Sequence, residues 1–177
     1  MRIISGQFKG RRIMAPKSLP ARPTTDMAKE ALFNILNNQY YFDEISVLDL
    51  FSGTGNISYE FASRGTENIT AVDSDLSCIK FINQTLEALE LPIEVYKSDV
   101  FKYLEKVKTK FTIIFADPPY DLSINEFLQI PEVVFENDLL EEDGLLIIEH
   151  SKHMDLSGHD KYKESRYYGG SVFSFYE

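Results

Sequence analysis

A chain of 177 residues, 44% of them hydrophobic and 26% charged, has the size and make-up of one globular domain with a full core. It carries no apolar run of the roughly 18 residues a membrane span needs and no apolar leader, and its one cysteine, Cys78, excludes an intrachain disulfide and a cysteine metal cage, so a cytoplasmic, metal-free protein is expected. The net charge of −10 argues against a nucleic-acid partner until its distribution is seen: residues 1–29 hold seven basic residues (Arg2, Lys9, Arg11, Arg12, Lys17, Arg22 and Lys29) against Asp26 alone. A basic segment thus precedes an acidic body, and screening over roughly 8 Å makes phosphate contact a local matter.

In chain order, Arg2-Ile3-Ile4-Ser5 and Arg11-Arg12-Ile13-Met14, separated by Gly6 and Gly10, predict a twisted β-hairpin. Pro16, Pro20 and Pro23 mark an extended connector, and Thr24-Thr25-Asp26 then caps an amphipathic helix with Ala28, Ala31, Leu32, Ile35 and Leu36. Strands are predicted at Ile45 to Phe51, Ile69 to Val72, Ile93 to Tyr96, Thr112 to Ala116 and Gly144 to Glu149. Helices are predicted between them, from Ile57 to Ser63, Leu76 to Leu89, Val100 to Val107, and Leu122 to Leu140 despite Pro131. Tyr162 to Tyr168, Gly169-Gly170 and Ser171 to Tyr176 read as a closing hairpin. The expected fold is a three-layer, Rossmann-like α/β sheet, mostly parallel, with an antiparallel C-terminal hairpin. The expected division is a basic hairpin and connector over 1–23 and the α/β domain proper over 24–177.

The first strand ends in Asp49-Leu50-Phe51-Ser52-Gly53-Thr54-Gly55. Glycines at a strand-to-helix turn let the backbone approach a ligand. Ser58 stands where a dinucleotide fingerprint needs Gly or Ala, and no Gly-Lys-Ser/Thr follows. What remains suits a cationic amino-acid moiety, with Asp49 facing its ammonium and Gly53 and Gly55 leaving space. Asp73, followed by Ser74, closes the second strand and can accept from ribose hydroxyls, while Asp75 caps the next helix. Asp99 can accept from an adenine amino group and the amide of Val100 can donate to a ring nitrogen, although Asp99 can equally cap the helix that begins there. Three acids after three successive strands outline one groove along a sheet edge.

Asp117-Pro118-Pro119-Tyr120 follows the fourth strand. An exocyclic amino group on a base is a poor nucleophile because its lone pair is conjugated with the ring. Acceptors that hold its two hydrogens turn that lone pair toward an electrophilic methyl group. The Asp117 carboxylate and the Pro118 carbonyl, on a backbone stiffened by two prolines, are suited to that, and Tyr120 offers a face for an extruded base. Carbon methylation of a pyrimidine would need a cysteine nucleophile, and Cys78 lies on a predicted helix away from these residues.

The opening Arg2-Ile3-Ile4-Ser5-Gly6-Gln7-Phe8-Lys9-Gly10-Arg11-Arg12, the connector Arg22-Pro23-Thr24-Thr25-Asp26, the loop Asp49 to Gly55 and the Asp117 to Tyr120 element together resemble the RsmD-type methyltransferases, which modify guanine N2 of 16S ribosomal RNA. The resemblance implies a seven-stranded class I methyltransferase sheet and S-adenosylmethionine as cofactor. It implies cofactor contacts at Thr24, Thr25, Asp49, Phe51, Ser52, Gly53, Thr54, Gly55, Asp73, Ser74, Asp99 and Val100, with Thr24 and Thr25 closing the methionine end. It implies catalysis at Asp117, Pro118, Pro119 and Tyr120, and RNA contacts at Arg2, Lys9, Arg11, Arg12, Lys17 and Arg22. The substrate is then expected in a small-subunit assembly intermediate, and the enzyme as a monomer. Two other readings share parts of this pattern: a DNA adenine-N6 methyltransferase, which usually carries a separate target-recognition region, and a noncatalytic RNA-binding module.

Overall fold

A computed structural model describes residues 1–20 and 24–177. In chain order it contains α1 (Asp26–Leu36), β1 (Ser46–Leu50), α2 (Asn56–Ser63), β2 (Asn68–Asp73), α3 (Leu76–Leu89), β3 (Ile93–Lys97), α4 (Val100–Lys106), β4 (Phe111–Ala116), α5 (Ile124–Glu136), β5 (Leu140–Ser151), β6 (Tyr162–Tyr168) and β7 (Ser171–Tyr176). The strands form one sheet in the order β3-β2-β1-β4-β5-β7-β6. Only β7 runs against the rest, antiparallel to both β5 and β6, so the expected reversal concerns that one strand.

The central strands are apolar on both faces, as strands covered by helices on both sides must be. Val47, Ile113, Phe115, Leu145 and Ile147 point into one core with Leu32, Phe33 and Leu36 of α1, Phe61 of α2 and Ile82 of α3. Their neighbours Leu48, Ile114, Ala116, Leu146 and Ile148 point into the other, with Val100 and Leu104 of α4 and Phe127, Ile130 and Val134 of α5. The two-residue strand period thus sorts consecutive side chains into two cores.

Two boundaries differ from the sequence expectation. The helix expected over 122–140 begins after Ser123, whose capping box with Glu126 satisfies its first amides, and stops at Asn137 because Asp138 turns left-handed (φ 52°). The acidic Glu141-Glu142-Asp143, which reads as loop, continues β5 beside a register shift opposite Phe111 and Ile113.

The N-terminal segment departs further. Its limbs run antiparallel but meet in a single bridge, Arg2 with Arg12, rather than a ladder. The reason lies on α2: Glu60 accepts from the amides of Ile4 (2.8 Å) and Ser5 (3.0 Å), and Ser63 takes those of Gln7 and Phe8. Backbone groups that a ladder would use are therefore satisfied by the helix. Gly6, at φ +84°, passes so close that a Cβ there would lie 1.8 Å from the Ser63 carbonyl oxygen. Ile3 and Ile13 join the core beneath. The segment lies along α2, with its ends at the helix start and its tip at the helix end.

Candidate active site

β1 and β4 are neighbours, and the strand order reverses between them, with β2 and β3 to one side and β5 to the other. In open α/β sheets the crevice outside the carboxyl ends at such a point is where ligands bind. The loop after β1 and the Asp117 to Tyr120 turn after β4 both sit there.

The loop after β1 is shaped by left-handed backbone at Phe51 (φ 57°), Gly53 (φ 52°) and Gly55 (φ 82°). Asp73 holds it: its Oδ2 accepts from the Gly53 amide at 2.7 Å and its Oδ1 from the Asp75 amide at 2.8 Å. The acid expected to meet ribose is thus also the buttress of the loop, and each oxygen keeps a second lone pair. Gly55 has a packing role beside the one its position suggested. A Cβ there would lie 2.6 Å from the Tyr59 ring, so the glycine is required by helix packing. The Ser52 hydroxyl is buried with no hydrogen-bond partner among the described residues, which fits a polar ligand group beside it. Ser74 is exposed at the end of β2.

Asp49 is buried, and its Oδ2 accepts from the Ser58 hydroxyl at 2.5 Å and the Ser58 amide at 3.2 Å. Burial, reinforced by the charge of Asp73 and opposed by the Ser58 bonds, pushes its carboxyl up to about 7. A cation beside it would favour the charged form. Asp75 caps α3 through the Cys78 amide, as read from the sequence. Asp99 caps α4 through the Lys102 amide at 3.0 Å yet remains exposed, and Val100 is buried as the first helical residue. Cys78 is buried, and desolvation raises its thiol to about 12, which suits a packing residue.

Asp117 is half-buried, and its amide donates to the Leu50 carbonyl at 3.4 Å, tying the β4 turn to the end of β1. Pro118 is buried and Pro119 exposed; the Pro119 carbonyl accepts from Leu122 and closes the turn. Tyr120 stands 53% exposed at its outer end, where a planar ring could lie on it.

A buried polar chain, only part of it anticipated, forms a further wall. Thr24 donates to Glu149 Oε2 at 2.7 Å, and Ser171 donates to Glu149 Oε1. Asn56 at the start of α2 donates to the Thr24 carbonyl and accepts from Lys29 Nζ at 2.8 Å. Lys29 Nζ also donates to the Arg2 carbonyl and pairs with Glu60 at 3.4 Å, both side chains fully buried. Desolvation lowers the Lys29 ammonium below its ordinary value, with Glu60 opposing. Lys29, counted from sequence with the basic segment, is therefore a structural cation. A signal was present: Lys29, Phe33 and Leu36 share one helical stripe. Thr25 caps α1 through the Ala28 amide, so only Thr24 takes part in this wall.

The remaining basic residues separate. Arg2 pairs with Asp26 at 3.1 Å and Arg12 is exposed beside it, near the cofactor loop, where Met1 Sδ lies 3.8 Å from the Thr54 hydroxyl. Arg11 lines a cleft with Gln7 and Phe8 toward the tip, at the amino ends of β2 and β3. Lys9 and Lys17 are exposed, and Arg22 lies outside the described residues.

The sheet order, the reversed β7, and a glycine loop and acid-proline turn at the switch point define a class I S-adenosylmethionine-dependent methyltransferase. A family model described as Conserved hypothetical protein 95 matches residues 1–177, and the chain belongs to that family, the RsmD-type methyltransferases. It is 38% identical to Bacillus subtilis YlbH over 88% of this chain and 85% of that protein. It is 30% identical to Escherichia coli ribosomal RNA small subunit methyltransferase D over 84% of this chain and 74% of that one. The solved Thermus hypothetical protein TTHA0928 superposes with a TM-score of 0.86 at 27% identity, covering 100% of this chain and 99% of its own.

Proposed function

We propose that the protein methylates the exocyclic N2 of a guanine in 16S ribosomal RNA, in the cytoplasm and as a monomer, acting on a small-subunit assembly intermediate. The observation that carries this is the placement of Asp117 to Tyr120 beside the cofactor loop, on neighbouring strands at the switch point. The matched relative named a small-subunit rRNA methyltransferase supplies the substrate class. Residues 24–177 form the catalytic domain in this reading, and residues 1–23 its RNA-contacting surface.

The residues present fit the cofactor: a buried carboxylate at Asp49 whose neutral form a cation would displace, an exposed acid at Asp99, and a buried Ser52 hydroxyl without a partner among the described residues. Asp49, Ser52, Gly53 and Thr54 would hold its methionine part, Asp73 its ribose, and Asp99 with the Val100 amide its adenine. When bound, the sulfonium supplies an electrophilic methyl group, so the protein's task is orientation and electrostatics. Asp117 and the Pro118 carbonyl accept the two amino hydrogens, which directs the nitrogen lone pair out of the ring plane. Tyr120 stacks on the base, a contact worth about 1–3 kcal/mol. Once methylated, the cationic nitrogen loses one of its two hydrogens as a proton, to the Asp117 carboxylate or directly to solvent water.

The test uses labelled cofactor and small ribosomal subunits from a strain lacking the endogenous enzyme, followed by nucleoside analysis. N2-methylguanosine is expected. Its absence, with N6-methyladenine formed on DNA, rejects the reading.

A further inference from the structure

Two clefts of similar size lie along the docked N-terminal segment. The tip cleft, about 500 Å³, includes Arg11 but also Glu67, Glu87 and Glu90. The base cleft, about 510 Å³, is lined by Met1, Arg2, Arg12, Met14 and Asp26. Both volumes fall in the range of small-molecule sites, about 300–1,000 Å³, so size does not separate them. Charge and position do. The tip cleft repels phosphate and lies at the amino ends of the strands. The base cleft adjoins the cofactor loop through Met1 and Thr54.

Arg2 and Arg12 face each other across the one antiparallel bridge of the segment. Directly opposed residues have Cβ atoms about 4.5–5.5 Å apart, and like charges there are destabilising. Asp26 relieves one of them: it pairs with Arg2 at 3.1 Å through Nε, while Arg12 stays exposed. An anion reaching both arginines would relieve the rest. Beside them, the Met14 side chain is 82% exposed, a polarizable surface of the kind that packs against aromatic rings.

We propose that this cleft binds one nucleotide of the RNA strand flanking the target guanine, its phosphate on Arg2 and Arg12 and its base against Met1 and Met14. The inference deepens the rRNA reading and rests on it. Direct phosphate contacts add to affinity and to its salt dependence, whereas the methionine contacts add affinity alone.

Arg12→Glu is expected to raise KM for the small-subunit substrate at least tenfold and to lower its salt dependence, with kcat and cofactor Kd within twofold of wild type. Met14→Ala should raise KM threefold or more with the salt dependence kept. Lys80→Glu, the same charge reversal on the exposed face of α3, is the control for a general field effect. If Arg12→Glu behaves as Lys80→Glu does, the inference is overturned. A second measurement does not need turnover: with ¹³C-methyl methionine, the chain gives four methyl signals, and a short single-stranded oligoribonucleotide should move those of Met1 and Met14 but not Met154. Methylation with unmoved Met1 and Met14 signals removes the cleft and keeps the rRNA reading. Moved signals without N2-methylguanosine remove the rRNA reading and keep an RNA-binding cleft.

Discussion

The carboxyl and amino ends of the strands offer hollows of nearly equal volume, and only their surroundings tell them apart. At the carboxyl end, opposed arginines and the exposed Met14 thioether lie beside a glycine loop and an acid-proline turn. At the amino end, glutamates dominate and no motif with chemistry is near. A basic stretch that reads as uniform in sequence is divided by the fold between these ends, because α2 carries it from one to the other. Linear charge density is therefore a poor guide to where an anion binds; the side of the sheet decides.

The largest effect expected bears on what keeps the two ends in register. Lys29→Met takes from buried Glu60 one of its two cations, Arg64 at 2.9 Å keeping the other, and strips the donor from the Arg2 carbonyl and Asn56 Oδ1, which together costs about 3–5 kcal/mol; urea denaturation should show it, and a loss below about 1 kcal/mol would mean the segment docks without Lys29. Next, Asp117→Ala should lower kcat by about 100–1000-fold while cofactor Kd changes less than twofold. A matching loss of cofactor binding would place Asp117 in the cofactor pocket instead.

Third comes a pH effect confined to the carboxyl end. The Asp49 carboxyl rises from 3.8 to about 7 on folding, so between these values the folded state holds a proton that the unfolded state has released. That proton's stabilisation is complete below about 3.8 and lost as pH rises through about 7. Asp49→Asn should therefore stabilise the ligand-free protein at pH 8, by about 2–4 kcal/mol, and flatten its stability between pH 4 and 8. A cationic cofactor should bind wild type more tightly as pH rises through this range, with proton release visible by calorimetry in two buffers. A pH-independent affinity would show that the carboxylate does not meet the cation. Smallest, Arg11→Glu should raise KM for RNA less than Arg12→Glu does. Equal effects would erase the difference between the ends.

Much of this architecture can be read from the chain because local signals agree with it. Gly169-Gly170 between two runs of β-formers gives the closing hairpin at its observed limits. Apolar runs bounded by Asp49, Asp73 and Asp117 mark strands whose carboxyl ends gather the acids. The features that escape depend on partners far along the chain. The expected N-terminal ladder fails because Glu60, more than fifty residues on, takes its amides. Lys29 looks like a surface cation until Asn56 and Glu60 are folded onto it. Glu149 acquires meaning only when Thr24, 125 positions away, donates to it. The role of Gly55 needs only Tyr59, one helical turn ahead, and that contact was open to sequence reasoning.

The narrow passage of residue 6 over the Ser63 carbonyl gives experimenters a hinge pin. Gly6→Ala would pry up the distal portion of the ribbon while Ile3 and Ile13 remain anchored. The outcome would be a tethered flap in place of a fixed strap, and a direct measure of how much productive RNA capture owes to rigidity.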